Sequence, residues 1–177
     1  IIKTSPFQKR FVFISHVKQS KGINEILEVS KRLPPNYILD IYGPIRDNSY
    51  TSDYFNQYNI TYHGSLEPDQ VSNTLINYDV LLLPTFHAGE GYPGIIIEAF
   101  SLGIPVITTN FGGIPEIVTD QYNGKLISPK NIEELEKAIL SFNSTNYAGY
   151  SRNALHSFAE NFDSETVNKR IVDKIIS

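Results

Sequence analysis

Cysteine, methionine and tryptophan are all absent from the 177 residues. Without cysteine there is no disulfide framework, no thiol nucleophile and no thiolate for a zinc ion. The missing methionine, even at Ile1, reads as a processed or excised piece of something longer. No apolar run approaches the about 20 residues that a membrane-spanning helix needs, and no signal-peptide pattern opens the chain. Positive charge is not in excess either: 15 Lys and Arg against 19 Asp and Glu leave a net charge of −4. That balance is poor for gripping nucleic acid or anionic lipid over a broad face. What the chain does have is 41% hydrophobic and 19% charged residues, the composition of a globule rather than a disordered segment. With no internal repeat, low-complexity tract or Pro/Gly/Ser linker, residues 1–177 read as a single domain.

Short strand-like runs alternate with amphipathic helical ones. Residues 11–14, 38–42, 60–63, 80–83, 106–108 and 125–127 are β-branched, aromatic or continuously apolar, and the fourth of them, Val80-Leu81-Leu82-Leu83, has the pattern of a strand buried on both faces. Between them, Ile23, Ile26, Leu27 and Leu33 share a helical face that Pro34-Pro35 ends. The polar, tyrosine-rich stretch 46–58 suits a short helix and loop. Pro68 suits the first turn of a helix with Val71, Leu75 and Tyr78 on its apolar face. Residues 94–102 form a helix between Pro93 and Gly103, 114–118 a short one, and Asn131 caps a helix buried through Leu135, Ile139 and Phe142. Helical segments over 150–162 and 165–176 close the chain. Alternation of this kind implies right-handed crossovers and an α/β, doubly wound, Rossmann-like parallel sheet of about six strands.

In such a sheet, ligands bind beyond the carboxyl ends of the strands, at the switch point. The segments to inspect are therefore 15–22, 43–47, 64–66, 85–95 and 110–115. The first carries Lys18 and Lys21, the fourth Glu90, and most carry glycine, which suits an anionic, sugar-bearing ligand; ordinary turn chemistry is the alternative. The most specific stretch is His87-Ala88-Gly89-Glu90-Gly91-Tyr92-Pro93-Gly94-Ile95-Ile96-Ile97-Glu98-Ala99. A helix beginning near Gly94 offers unpaired N–H groups and a positive dipole end to a phosphate. Glu98, one turn inside it, needs hydrogen-bond donors, which ribose hydroxyls or a nearby Lys or Arg would supply.

The pattern Glu-Gly-aromatic-Pro-Gly…Glu-Ala, followed by Gly103-Ile104-Pro105-Val106-Ile107 and Gly112-Gly113…Glu116, resembles the nucleotide-sugar-binding C-terminal half of family 4 (group 1) retaining glycosyltransferases of GT-B architecture. The resemblance spans roughly residues 9–142 and takes in Ile41-Tyr42-Gly43, Tyr62-His63-Gly64, Leu83-Pro84-Thr85 and Asn123-Gly124. It implies that Glu98 holds the donor ribose, that Glu90 sits beside the transferred sugar, and that Lys21 neutralises the diphosphate. Glu90 and Lys21 are thereby the candidate catalytic pair. His16, Gly22, Gly64, Leu66, Gly91, Tyr92, Gly94, Ile95, Gly112 and Gly113 join Glu98 as candidate donor-binding residues, with Gly64 and Leu66 at the base. The family places Arg where this chain has His16, which lacks a permanently charged bidentate fork, so diphosphate binding is expected to be weaker, pH-dependent or helped by Lys18. Pro93 removes one N–H from the phosphate-facing turn.

Other constellations are poor. His16, His63, His87 and His156 lack metal-ligand spacing, no Asp-x-Asp occurs, no serine sits in a Gly-x-Ser-x-Gly elbow, and no Gly-x-Gly-x-x-Gly follows the first strand at Ile14. No metal or cofactor is expected. Tyr50, Tyr54, Tyr58, Tyr147 and Tyr150 form either a sugar-binding surface or, as preferred, packing against the sheet flanks or a neighbour. The resemblance implies a nucleotide sugar as partner and an N-terminal acceptor-binding domain in cis or trans, with an exposed apolar patch near the closing helices to meet it. Location in the cytoplasm, loose association with a membrane through the missing half, and no contact with nucleic acid complete the expectation. The competing readings are a catalytically silent sugar-nucleotide-binding module and another GT-B-like enzyme, an epimerase or phosphorylase.

Overall fold

A computed structural model describes residues 2–164 and Thr166. Six strands form one parallel sheet: β1 (Arg10–Ile14), β2 (Ile38–Tyr42), β3 (Thr61–Tyr62), β4 (Val80–Leu83), β5 (Val106–Thr109) and β6 (Gly124–Ile127). Their spatial order is β3-β2-β1-β4-β5-β6, so the winding reverses between β1 and β4. The helices are α1 (Ile23–Ser30), α2 (Val71–Leu75), α3 (Gly94–Ser101), α4 (Ile132–Ser141) and α5 (Tyr147–Asn161). The doubly wound fold read from the sequence is the fold observed. Residues 46–58 contribute only a 3-10 turn, Ser52–Gln57, and the short helix at 114–118 is a 3-10 turn over Ile114–Glu116. The closing helix placed over 165–176 lies outside the described residues apart from Thr166.

The central strands are apolar because both of their faces are covered. Phe11, Val12, Phe13, Val80, Leu81 and Leu82 are all fully buried, and each such side chain contributes roughly 1.5–3 kcal/mol of transfer free energy. At the flanks, Asn131 caps α4 by accepting the Glu134 N–H at 3.0 Å. Tyr50, Tyr147 and Tyr150 are buried, while Tyr54 and Tyr58 pack partly buried against the core and share a hydroxyl–hydroxyl bond of 3.2 Å. These tyrosines are packing residues rather than an open sugar platform. The expected apolar patch is not found on α5: among the described residues the exposed large apolar side chains are Ile2, Ile38, Tyr92, Tyr122 and Leu140. α5 instead spends its apolar side on the body of the domain, with Leu155 over Gly103 and Ala154 fully buried.

The loops after β1 and β2 are zipped together at the sheet's carboxyl edge. Val17 N–H donates to Pro44 O and Arg46 N–H to Val17 O, both at 2.9 Å. Gly43 makes that approach possible: its φ is +134°, and a Cβ there would stand 1.8 Å from the Ser15 carbonyl oxygen. Gly43→Ala is therefore expected to destabilise the fold by about 2 kcal/mol or more, through a strained backbone and a forced separation of the two loops. Equilibrium denaturation measures this, and an unchanged midpoint would contradict the interlock.

Candidate functional site

At the reversal point β1 and β4 send their following segments in opposite directions, and a cleft of about 410 Å³ opens between them. Its walls bring together Ile14, His16 and Lys21 from beyond β1, Pro44 from beyond β2, and Leu66 and Val71 from the approach to α2 and its first residue. Glu90, Gly94, Ile95 and Glu98 come from the segment after β4. A hollow of about 430 Å³ beside α2 shares Leu66 with the cleft; its Tyr78 donates to Asp40 at 2.6 Å and meets the Tyr42 hydroxyl at 3.1 Å, and its one charged side chain, Arg10, lies over the Tyr78 ring. Volume does not separate the two; convergent charge does.

One end of the cleft is held by a three-residue clasp. Lys21 Nζ lies 2.5 Å from Glu90 Oε2, and the Thr85 hydroxyl donates to the same oxygen at 2.6 Å. Both members of the ion pair are mostly buried, at 13% and 8% side-chain exposure, so water screens the contact weakly. Thr85 is in turn tied to the first loop, where Phe86 N–H donates to Ser20 O at 2.9 Å. Glu90 is thus fixed by a charge from the β1 side and a hydroxyl from the β4 side. The sequence reading chose Lys21 and Glu90 but missed Thr85; a threonine buried directly after an apolar strand was the available signal.

At the other end stands Glu98, whose Oε1 accepts the Ser72 hydroxyl of α2 at 2.6 Å. Its fixed donor is neither Lys nor Arg, as the sequence reading allowed, but a serine that the reading passed over. Between the ends, α3 starts at Gly94 without any side-chain cap, with Pro93 as its extended N-cap residue. Its first residues, Gly94 and Ile95, line the cleft, where a helix start favours an anion.

Of the thirteen residues singled out, Lys21, Glu90, Glu98, His16, Leu66, Gly94 and Ile95 line the cleft. The other six do not reach its wall. Gly22 is buried behind it against Pro84, and Gly64 hands its carbonyl to Gly43 N–H at 2.7 Å. Gly112, at φ +56°, is the point where the segment after β5 meets the segment after β4: a Cβ there would come within 2.2 Å of the Glu90 carbonyl oxygen. Gly113 N–H donates to that carbonyl at 3.3 Å. Gly91 and Tyr92 form the outer turn, with Tyr92 54% exposed and its hydroxyl donating to Glu116. These residues shape the backbone that carries Glu90.

His16 is exposed at the rim. Partial desolvation, followed by the positive charges of Arg46, Lys18 and Lys21, pushes its pKa below the ordinary 6.5. A histidine with a depressed folded-state pKa binds fewer protons than its unfolded counterpart, so its contribution to stability is complete above pH 6.5 and fades as pH falls toward the folded value. At neutral pH the ring is uncharged. An NMR titration should find the His16 ring protons moving with a midpoint below that of a histidine in an unstructured peptide, and Arg46→Ala should raise the midpoint. A midpoint unmoved by Arg46→Ala would show that the arginine does not reach the rim.

The sequence model of the glycosyl transferases group 1 family matches residues 3–162. TuaC of Bacillus subtilis, provisionally named as a teichuronic acid biosynthesis glycosyltransferase, is 28% identical over 137 residues, covering 76% of this chain and 33% of its own length. The first curated relatives are spanned over only a quarter to two fifths of their lengths. In structure, the chain is similar to Anabaena HepE, crystallised with UDP and glucose, at a TM-score of 0.79 and 22% identity over 96% of this chain and 48% of HepE. It is also similar to the C-terminal domain of a group 1 glycosyl transferase, LpcC, from Francisella tularensis, with a TM-score of 0.76 and 18% identity over 90% of this chain and 88% of that one. At these identities the structural likenesses speak to the fold alone.

Proposed function

The chain belongs to the glycosyl transferases group 1 family, and from that membership we propose that it is the donor-binding domain of a retaining glycosyltransferase. The observation that carries the reading is the single cleft with a carboxylate fixed at each end, a lysine beside one of them and an uncapped helix start between. That array follows the order of the groups in a nucleoside diphosphate sugar. Glu98, oriented by Ser72, accepts the ribose hydroxyls. Leu66 and Val71 give the base an apolar wall. Lys21 and the first N–H groups of α3 receive the diphosphate, and Glu90 faces the sugar hydroxyls near the anomeric carbon. Similarity to TuaC supports an acceptor that is a growing polysaccharide.

In the reaction, the bond between the anomeric carbon and the diphosphate oxygen breaks while the acceptor oxygen bonds the same face of that carbon. The acceptor's proton passes to the departing phosphate. Charge accumulates on the diphosphate, and fixed donors already aimed at it lower the barrier without reorganising. The chemistry also needs the acceptor hydroxyl held at near-attack distance. An N-terminal domain, in cis or in trans, supplies that acceptor site, and the reading requires no metal. The neutral His16 favours a second reading, a module that binds sugar nucleotides without turnover.

Calorimetry and thermal shift with UDP, GDP, ADP and their diphospho-sugars test the proposal. At least one nucleotide is expected to raise the melting temperature without added metal; no shift from any of them would refute it. Glu98→Ala should weaken binding of the nucleotide alone by roughly 10–100-fold, the loss of a charge-assisted hydrogen bond. Glu90→Ala should spare the nucleotide and weaken discrimination of the sugar. Equal losses of nucleotide affinity from both would contradict the assignment of the two ends. The 177-residue chain alone should bind donor and transfer essentially nothing until joined to an acceptor-binding domain. Continued silence in the joined protein would favour the binding module.

A further inference from the structure

The donor's diphosphate carries two to three negative charges, and the one cleft-lining lysine has its charge committed to Glu90 at 2.5 Å. From outside the cleft that pair is close to neutral. The charge needed to draw in and hold a diphosphate must come from elsewhere on the rim. We propose that Arg46, on the loop after β2, together with Lys18 on the loop after β1, supplies it, so that the diphosphate is seated across the junction of these two loops. The inference rests on the proposed donor site and adds Arg46, which the sequence motifs do not mark, to the Lys18 already singled out.

Three observations carry it. The first is position. Arg46 lies two residues past Pro44, which lines the cleft, and its N–H is bonded to the carbonyl of Val17, the neighbour of cleft-lining His16. With Val17 N–H bonded back to Pro44 O, two reciprocal bonds of 2.9 Å fix the arginine's backbone at the mouth. The second is charge. Among the described residues, no carboxylate lies within 4.0 Å of the Arg46 or Lys18 side-chain nitrogens, whereas Lys3, Lys21, Lys31 and Arg32 all have such partners. The adjacent acid, Asp47, keeps its charge but turns it to the backbone, accepting Ser49 N–H at 3.0 Å and Gln19 N–H at 3.5 Å. The third is the response of His16, whose protonation is opposed by Arg46, Lys18 and Lys21 together. Like charges gathered around one rim position repel, and a bound anion relieves that repulsion. The guanidinium offers paired N–H donors that match two phosphate oxygens, which the imidazole of His16 does not.

Isothermal titration with UDP, GDP, ADP and inorganic pyrophosphate distinguishes the outcomes. Arg46→Gln, which keeps the backbone bonds and a polar side chain but removes the charge, should weaken both pyrophosphate and the preferred nucleotide by about tenfold or more. Arg46→Lys should recover part of the loss, and Lys18→Gln should add to it. Uridine, guanosine and adenosine, which lack phosphate, should bind Arg46→Gln and the unaltered chain alike. Arg32→Gln removes an equal charge at the α1–α4 face and should change nothing. Melting temperatures equal to that of the unaltered chain confirm that the variants are folded. Unchanged nucleotide and pyrophosphate affinity in Arg46→Gln overturns this inference and leaves the donor site standing. Pyrophosphate binding that depends on Arg46, with no nucleotide bound, keeps the cationic seat and refutes the donor reading. Failure of the unaltered chain to bind either pyrophosphate or any nucleotide refutes both.

Discussion

The alignment of β1 with β4 is the constraint on which the rest of the molecule depends, and one buried carboxylate sets it. Asp79, just before β4, has a fully buried side chain that accepts the N–H groups of Gln8 and Arg10 at 2.8 and 2.9 Å, while its own N–H donates to Arg10 O at 2.7 Å. Lys3, itself buried, lies 3.3 Å from the other carboxylate oxygen. A carboxylate in that position is costly unless partnered: the two hydrogen bonds on Oδ2 are kept only in this pairing of the strands, and the Lys3 charge faces Oδ1, which accepts no hydrogen bond. That pairing sets Phe11 against Val80 and Val12 against Leu81. Ile14 and Leu83 consequently end near the same level and both line the cleft. Displacing β4 by one residue would turn its side chains over and misplace the segment that carries Glu90.

Beyond the strand ends, precision comes from backbone packed on backbone. The segment after β5 abuts the Glu90 carbonyl at Gly112, and the loop after β2 abuts Ser15 at Gly43. The Thr109 hydroxyl donates to the Thr85 carbonyl, tying β5 to the residue whose own hydroxyl holds Glu90. Glu90 is therefore fixed by contacts from the segments after β1, β4 and β5, and of these supporting groups only Lys21 lines the cleft. Preorganisation of this kind allows a carboxylate to act without losing rotamer entropy when it binds.

The fold was legible because the central strands of a doubly wound sheet are buried on both faces and must be apolar, and their connections must be amphipathic; Val80-Leu81-Leu82-Leu83 announces itself. Lys21 and Glu90 stood out as charges beside glycine beyond strand ends and Glu98 as a carboxylate on an apolar stretch of helix, and the family resemblance, not the spacing, gave them their roles. Ser72 and Thr85 were not. Hydroxyl residues are common on helices and strand ends, and only the folded arrangement brings Ser72 to Glu98 from 26 residues away. Arg46 was hidden for a related reason: its importance lies in the pairing of two loops, and no local pattern encodes that. Tyr92 read as one of the backbone N–H donors of the phosphate-facing turn; its ring is exposed and it does not line the cleft, whereas Pro93 and Gly94 do.

The two kinds of charge in this chain obey different rules. Lys3 and Asp79 are buried together, so removing either leaves an uncompensated ion in the interior, a loss of about 3–5 kcal/mol for a domain of ordinary stability. His16 and Arg46 are exposed at the rim, where side-chain changes cost the fold little because the local backbone is secured by its own hydrogen bonds. The site can therefore vary its charge while the architecture stays fixed. Moving a permanent positive charge from the first loop to the second preserves attraction for a diphosphate but changes the side from which it is held. With neutral His16 between Lys18 and Arg46, the rim has less mutual repulsion than it would with a third permanent cation, and protonation of His16 becomes coupled to binding: an anion seated there raises the imidazole's pKa and draws in a proton as the pH falls.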